Sequence, residues 1–168
     1  MTALELSKKY RTLLSNYGIN TPLRLAHFFA QLDHESGGFK ILKERGNDAY
    51  FQKYEFRKNL GNTQKGDGLR FKGRGFIQIT GRYNYTVLSK DTRIDYLNNP
   101  HWLEREADAM VSACWFWNKH KLNKYADQDN IDAISDLINK GKLTKNYGDA
   151  NGFTDRANKL IKYKKLTY

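Results

Sequence analysis

"TPLRLAHFFAQLDHESGG", residues 21–38, reads as one complete helix with both of its ends written into it. Thr21 is a capping residue, Pro22 suits the first helical position, where the backbone N–H has no partner, and Gly37 with Gly38 supplies the stop. At 100° per residue Phe28 and Leu32 share an apolar stripe, and Glu35, seven positions after one and three after the other, falls on it. Arg24, His27, Gln31 and His34 form the other, polar stripe, with the histidines expected at the surface or a cleft rim. The carboxylate is the anomaly. Removed from water without a partner, an ionised carboxyl is costly, and burial then favours the protonated form that a general acid needs. A plain solvated helix end fits the same position, so its context has to decide.

Upstream, Leu4, Leu6, Tyr10, Leu13, Leu14 and Tyr17 predict an amphipathic helix over residues 3–17, ended by Gly18. Downstream, residues 44–75 are rich in Gly, Asn, Lys and Arg and read as a long loop with short irregular elements, a length that marks function. "FIQIT", residues 76–80, predicts a short strand with Gln78 and Thr80 on its polar face. Leu103, Ala107, Met110, Val111, Cys114 and Trp117 predict a core helix over residues 102–120. "DNIDAISDLINKG", residues 129–141, repeats the helical pattern, and "FTDRANKLIKYKK", residues 153–165, predicts a basic helix at the end.

The 168 residues fit a single domain, 1–168, and 39% hydrophobic content with only two prolines supplies a core and argues against disorder. Lys and Arg exceed Asp and Glu by 29 to 18, and this surplus of +11 favours a polyanionic partner: nucleic acid, an anionic glycopolymer or a lipid headgroup surface. The lone Cys114, between aromatics, reads as a small buried hydrophobe and excludes an internal disulfide. The first residues lack the apolar run of a signal peptide, so synthesis and folding in the cytoplasm are expected, with another agent giving passage to any target outside.

No metal or cofactor is expected. His27 and His34 lie about 10 Å apart along their helix and cannot share one zinc. "GDGLRFKGRG", residues 66–75, has the wrong glycine intervals for a phosphate loop or a dinucleotide site. A second carboxylate, Glu44, follows Glu35 by nine residues, a tether of at most about 30 Å that permits any acid–base separation. Glu55 is its rival.

"HESGGF" (34–39), "LGNTQKGDGLRFKGRGFIQITGRYNY" (60–85), "NNPHWLEREADAMVSACWFW" (98–117), "DLINKGK" (136–142) and "DRANKL" (155–160) stand in an order that resembles the family 19 glycoside hydrolases. These are chitinase-like enzymes, and the resemblance is closest to the bacteriophage endolysins among them, over residues 23 to about 165. It implies a mainly α, lysozyme-like fold of the α+β superfamily, with two helical lobes flanking a substrate cleft and a short β element. It also implies inverting hydrolysis of a β-1,4 bond beside an N-acetylated sugar. Carried over residue by residue, Glu35 becomes the general acid and Glu44 the base for the attacking water. Gln78, Thr80 and Asn84 become cleft-lining groups, although Asn84 equally suits a turn-stabilising role, and Asn139 and Arg156 match the remaining positions, Arg156 able to pair a catalytic glutamate.

One departure is visible, since Lys140 stands where related chitinases have the first of two glycines. It points towards a carboxylate-bearing glycan, peptidoglycan, while a solvated loop lysine stays the alternative. The resulting expectation is a monomeric endolysin acting on peptidoglycan glycan strands, made in the host cytoplasm and released to the wall or periplasm by a separate pore-forming protein. Its basic C-terminal helix would face anionic envelope polymers or lipid. The alternatives are a chitinase and, in another class, a basic nucleic-acid-binding protein, though no nucleic-acid partner is expected for the enzyme.

Overall fold

The helix that the sequence marks most clearly becomes the spine of its part of the protein. In the computed structural model, which describes all 168 residues, the chain divides into two compact units: residues 1–39 with 116–168, and residues 40–115. The first unit holds α1 (Ala3–Lys9), α2 (Arg11–Asn16) and α3 (Pro22–Ser36). The second holds α4 (Asp48–Phe51), α5 (Asp67–Arg70) and α6 (Arg82–Thr92). The chain passes from the second unit to the first within α7 (Glu106–Lys119), and α8 (Leu122–Asp127), α9 (Ile131–Lys140) and α10 (Phe153–Lys164) complete the first. The fold is mainly α.

Thr21 Oγ1 accepts the Arg24 N–H at 3.2 Å and Gly37 closes α3 in the left-handed conformation, so both written ends operate. Between them the helix is buried nearly all round, from Leu25 to Asp33. The middle of the polar stripe is therefore not a surface, and the expectation that His27 lies at a rim is corrected: it is fully buried, as is Gln31, while Arg24 and His34 stay part-exposed. A helix covered on several sides by α10, α8 and α1 can keep polar groups only by pairing them. His27 Nε2 meets Asp129 Oδ1 at 2.8 Å, and Gln31 Nε2 donates to Ser135 Oγ at 3.2 Å.

The helix expected over 3–17 breaks at Tyr10, and because the break lasts one residue the apolar spacing runs straight through it. The helix expected from Trp102 begins at Glu106, preceded by a 3₁₀ turn over Pro100–Glu104. In the second unit residues 76–80 are not a strand. Arg74 and Ile79 pair across a tight turn in which Gln78 takes φ +55°, and the β element shrinks to two isolated bridges, Arg74 with Ile79 and Lys43 with Arg74. Phe76, Ile77 and Ile79 are all buried, so the alternation does not sort a wet face from a dry one.

Candidate active site

In the first unit Glu35 occupies the last turn of α3 with its side chain 22% exposed, and Arg156 reaches it from the first turn of α10. Arg156 is buried, and each of its three guanidinium nitrogens is engaged. Nη2 lies 2.5 Å from Glu35 Oε1, Nη1 donates to Gln31 Oε1 at 2.6 Å, and Nε donates to the Asn151 carbonyl at 3.0 Å. Asn139 Oδ1 accepts the Asn151 N–H at 2.9 Å, so Asn139 and Arg156 grip the two faces of one peptide segment. The premise of a sheltered carboxyl is thus corrected, since Glu35 is part-exposed, while the guanidinium partner that the resemblance implied, Arg156, stands beside it. His34 Nδ1 meets Asp155 Oδ2 at 2.6 Å, and its ring lies so close to Gly152 that a Cβ there would stand 2.1 Å from Cε1. That contact fixes the start of α10 beside Glu35.

In the second unit Glu44 lies outside any helix and is held by hydrogen bonds. Oε1 accepts from the hydroxyls of Tyr54 at 2.8 Å and Tyr50 at 3.1 Å, Oε2 accepts the Gly73 N–H at 3.2 Å, and Lys53 Nζ stands 3.9 Å away. Burial, together with the bond to Glu44, pushes the Tyr54 phenol above its usual range, which keeps it a donor. Three donors and an ammonium group aimed at one carboxyl complement its ionised form, the form that a base must have.

Gly73 explains the grouping. A Cβ built on it would lie 2.7 Å from Gln78 Oε1 and 3.2 Å from both Glu44 Oε2 and Thr80 Oγ1, so three polar groups converge on bare backbone. Gln78 Nε2 donates to the Gly75 carbonyl at 2.9 Å and Thr80 Oγ1 donates to the Gln78 carbonyl at 2.9 Å, which orients both side chains. Asn84 does not join them by its amide nitrogen, which donates to the Thr80 carbonyl at 2.8 Å and steadies the start of α6. Glu55 is occupied elsewhere: Oε1 accepts the N–H groups of Gly66 and Gly68, each at 3.1 Å, and staples the loop before α5. Lys140 Nζ is likewise turned inward, onto Asp149 Oδ2 at 2.6 Å.

Glu35, Asn139 and Arg156 therefore belong to the first unit, and Glu44, Gln78, Thr80 and Asn84 to the second. Sequence reasoning missed Gln31, Tyr50, Lys53, Tyr54 and Gly73. Only Gly73 carried a signal, as the small residue opening "GRG". No group of three or more His, Cys, Asp or Glu side chains is arranged to hold a metal ion.

The family model described as chitinase class I, of glycoside hydrolase family 19, matches residues 19–136. A glycosyl hydrolase family 19 domain-containing protein of Haemophilus influenzae is 31% identical over 153 aligned residues, covering 74% of each chain. An acidic endochitinase of Petunia hybrida is 35% identical over 108 residues, which are 64% of this chain and 40% of the plant protein, so the chain spans well under half of that relative. Among solved structures, chitinase C of Streptomyces griseus superposes with a TM-score of 0.65 at 23% identity, over 84% of this chain and 58% of its own, a likeness of fold. The class IV family 19 chitinase of Zea mays gives 0.60 at 25% identity, over 86% and 66%. A family match through most of the chain, joined to a relative of nearly a third identity over 74% of it, places the protein in glycoside hydrolase family 19.

Proposed function

We propose that this chain is an endolysin-type glycosidase that cuts the β-1,4 bonds of bacterial peptidoglycan by inversion. Glu35 is the general acid and Glu44 the base. The observation that carries the reading is the convergence of Glu44, Gln78 and Thr80 on the bare backbone of Gly73, a carboxylate set beside an amide oxygen and a hydroxyl. Such groups suit a water molecule and an acetamido sugar.

In the reaction Glu35 gives its proton to the glycosidic oxygen as the bond from that oxygen to the anomeric carbon breaks. Water attacks the opposite face of the carbon and passes a proton to Glu44, and exchange with solvent resets both groups. As the proton leaves, negative charge grows on Glu35 beside the buried Arg156 guanidinium, which stabilises the developing carboxylate. The ion pair thus serves the far side of the step. Action as a monomer, and delivery to the wall by a separate pore-forming protein, belong to the same reading.

A chitinase is the second reading, favoured by the chitinases among the similar proteins. Purified peptidoglycan and chitin oligomers, offered side by side, separate the two. The expected result is new reducing ends from the wall, released with inverted anomeric configuration and lost in Glu35→Gln, and mass spectrometry of the products identifies which sugar precedes the cut. Cutting of chitin alone would establish the second reading. Salt-sensitive binding of nucleic acid without hydrolysis of either polymer would overturn both.

A further inference from the structure

Between α9 and α10 the chain makes an excursion over residues 141–152 that is tied down at several points. The Thr144 N–H donates to Asp136 Oδ2 at 2.9 Å, and its hydroxyl sits between Asp149 Oδ1 at 2.7 Å and Asp136 Oδ2 at 3.1 Å. The Gly148 N–H donates to Asp132 Oδ1 at 2.6 Å, Lys140 holds Asp149, and Asn139 holds Asn151. Every acid at this corner is turned inward and engaged in holding the loop.

What the loop carries outward is of the opposite kind. Leu143 is 52% exposed and Tyr147 76% exposed, and Lys142 and Lys145 are exposed with no carboxylate in ion-pair range. The Tyr147 ring leans edge-on against Phe153, with centroids 5.2 Å apart and planes at 73°, so its orientation is set while most of the ring stays open. Ordering a residue costs about 1–2 kcal/mol of backbone entropy, and this loop recovers little of that by burying its own apolar groups. Ties without burial make sense where the outward face itself has to be held in shape. An exposed aromatic ring and two exposed ammonium groups without carboxylate partners, carried on one loop, complement a sugar or peptide surface that bears carboxylates. The surface is also continuous with the proposed acid, because Asn139 and Arg156, which grip Asn151 in this loop, include the partner of Glu35.

We infer that the 141–152 loop is a docking surface for the acidic glycan strand of peptidoglycan. Tyr147 stacks on the strand, and Lys142 and Lys145 meet its lactyl or stem-peptide carboxylates. The inference rests on the proposed function and moves the reading of acidic groups from Lys140, which is engaged internally, to the two lysines after it.

The test compares wild type, a Lys142→Ala/Lys145→Ala double variant and Tyr147→Ala. Co-sedimentation with protein-free, teichoic-acid-free sacculi, binding and hydrolysis of neutral chitin oligomers, and flotation with phosphatidylglycerol vesicles are measured for each. All four side chains of the surface are exposed, so melting curves are expected to match wild type. The double variant should bind sacculi about tenfold more weakly at low salt, with the difference closing at high salt. Tyr147→Ala should bind severalfold more weakly at both and weaken chitin-oligomer binding as well, since stacking needs no charge, whereas the double variant should leave behaviour towards chitin unchanged. Unchanged binding to sacculi, an equal loss on chitin by the double lysine variant, or a loss confined to vesicles would each overturn the inference, the last assigning the surface to lipid. Absence of new reducing ends with wild type is the separate failure of the proposed function, and the sacculus-binding comparison still decides the loop.

Discussion

Replacing Arg156 by methionine keeps the stem and removes the fork, and the structure allows the cost to be worked contact by contact. Gln31 is fully buried, and Arg156 is the donor to its amide oxygen. Leaving that oxygen without a donor costs about 1–3 kcal/mol. The Asn151 carbonyl belongs to an exposed residue and can turn to water, so it adds little. The pair with Glu35 would be worth more if both partners were buried, but a carboxyl 22% exposed recovers solvation, which holds this contribution to about 1 kcal/mol. The sum is about 2–4 kcal/mol, roughly 4–16 °C in melting temperature for a chain of this size. Glu35→Gln keeps an oxygen for the guanidinium and loses only its charge, so about 1 kcal/mol is expected.

Because the two residues share one contact, the double variant should fall short of additivity by about 0.5–1 kcal/mol. Urea unfolding with an unchanged m-value reads all three numbers. An Arg156→Met protein melting within about 1 °C of wild type, or strict additivity within about 0.3 kcal/mol, would refute the description of Arg156 as the group holding Gln31 and Glu35. Hydrolysis separates the chemical role from the structural one. Glu35→Gln should lose about 10²–10⁴ in rate, far beyond what its small loss of stability explains.

Glu44→Gln should abolish hydrolysis with a small effect on melting, whereas Glu55→Gln, which loosens bonds to Gly66 and Gly68, should lower the melting temperature and spare the rate; the reverse pattern in paired assays would make Glu55 the base. Gly73→Ala inserts a methyl among Gln78, Glu44 and Thr80, and because the nearest atom is the end of a flexible side chain the fold should survive while the rate falls at least tenfold. Finding the rate unchanged would dissolve the grouping. Burial holds the His27 imidazole below its usual range against the upward pull of Asp129, with Lys164 also facing the pair. The unfolded chain therefore takes up this proton first, near pH 6.5, so this contribution is complete above that value and declines as pH falls towards the lower folded value. Unfolding curves between about pH 7 and 5 should show the decline, at no more than about 1.4 kcal/mol per pH unit, and His27→Gln should flatten it.

How much of this was legible depended on whether a signal is local. The ends of α3 and α9 were readable because a cap, a proline or a left-handed glycine acts within one turn of its own position. The role of its polar stripe was not, since His27, Gln31 and Arg24 find their partners more than one hundred residues away in Asp129, Ser135 and Asp127, and nothing in a helical period tells a polar group that faces water from one that faces a distant acid. The misread strand has a related cause. Alternation identifies a strand only where one face is wet, and the turn through Gln78 buries Phe76, Ile77 and Ile79 together. Glu35 was singled out for sound reasons of position, but its counter-ion on α10 lies beyond any local pattern, and Arg156 was legible only through the family resemblance.

The two carboxylates are held in different ways, and the difference predicts where each is fragile. Glu35 inherits its place from α3, whose Phe28, Phe29 and Leu32 are fully buried, with Phe28 packed on Trp117 and Phe29 on Phe39, so its position is defended by packing. Emptying that support, as in Phe28→Ala, should cost about 3–5 kcal/mol and lower activity by lowering the folded fraction. Glu44 has no helix beneath it, and its place depends on Tyr50, Tyr54 and the Gly73 amide. Tyr54→Phe removes one donor and should leave a protein about 0.5–1.5 kcal/mol less stable, yet markedly slower, because the base gains freedom where the attacking water needs it fixed. Activity that tracks folded fraction for Phe28→Ala but falls below it for Tyr54→Phe is the expected contrast. Activity proportional to folded fraction in both would mean that the hydroxyl is only part of the scaffold.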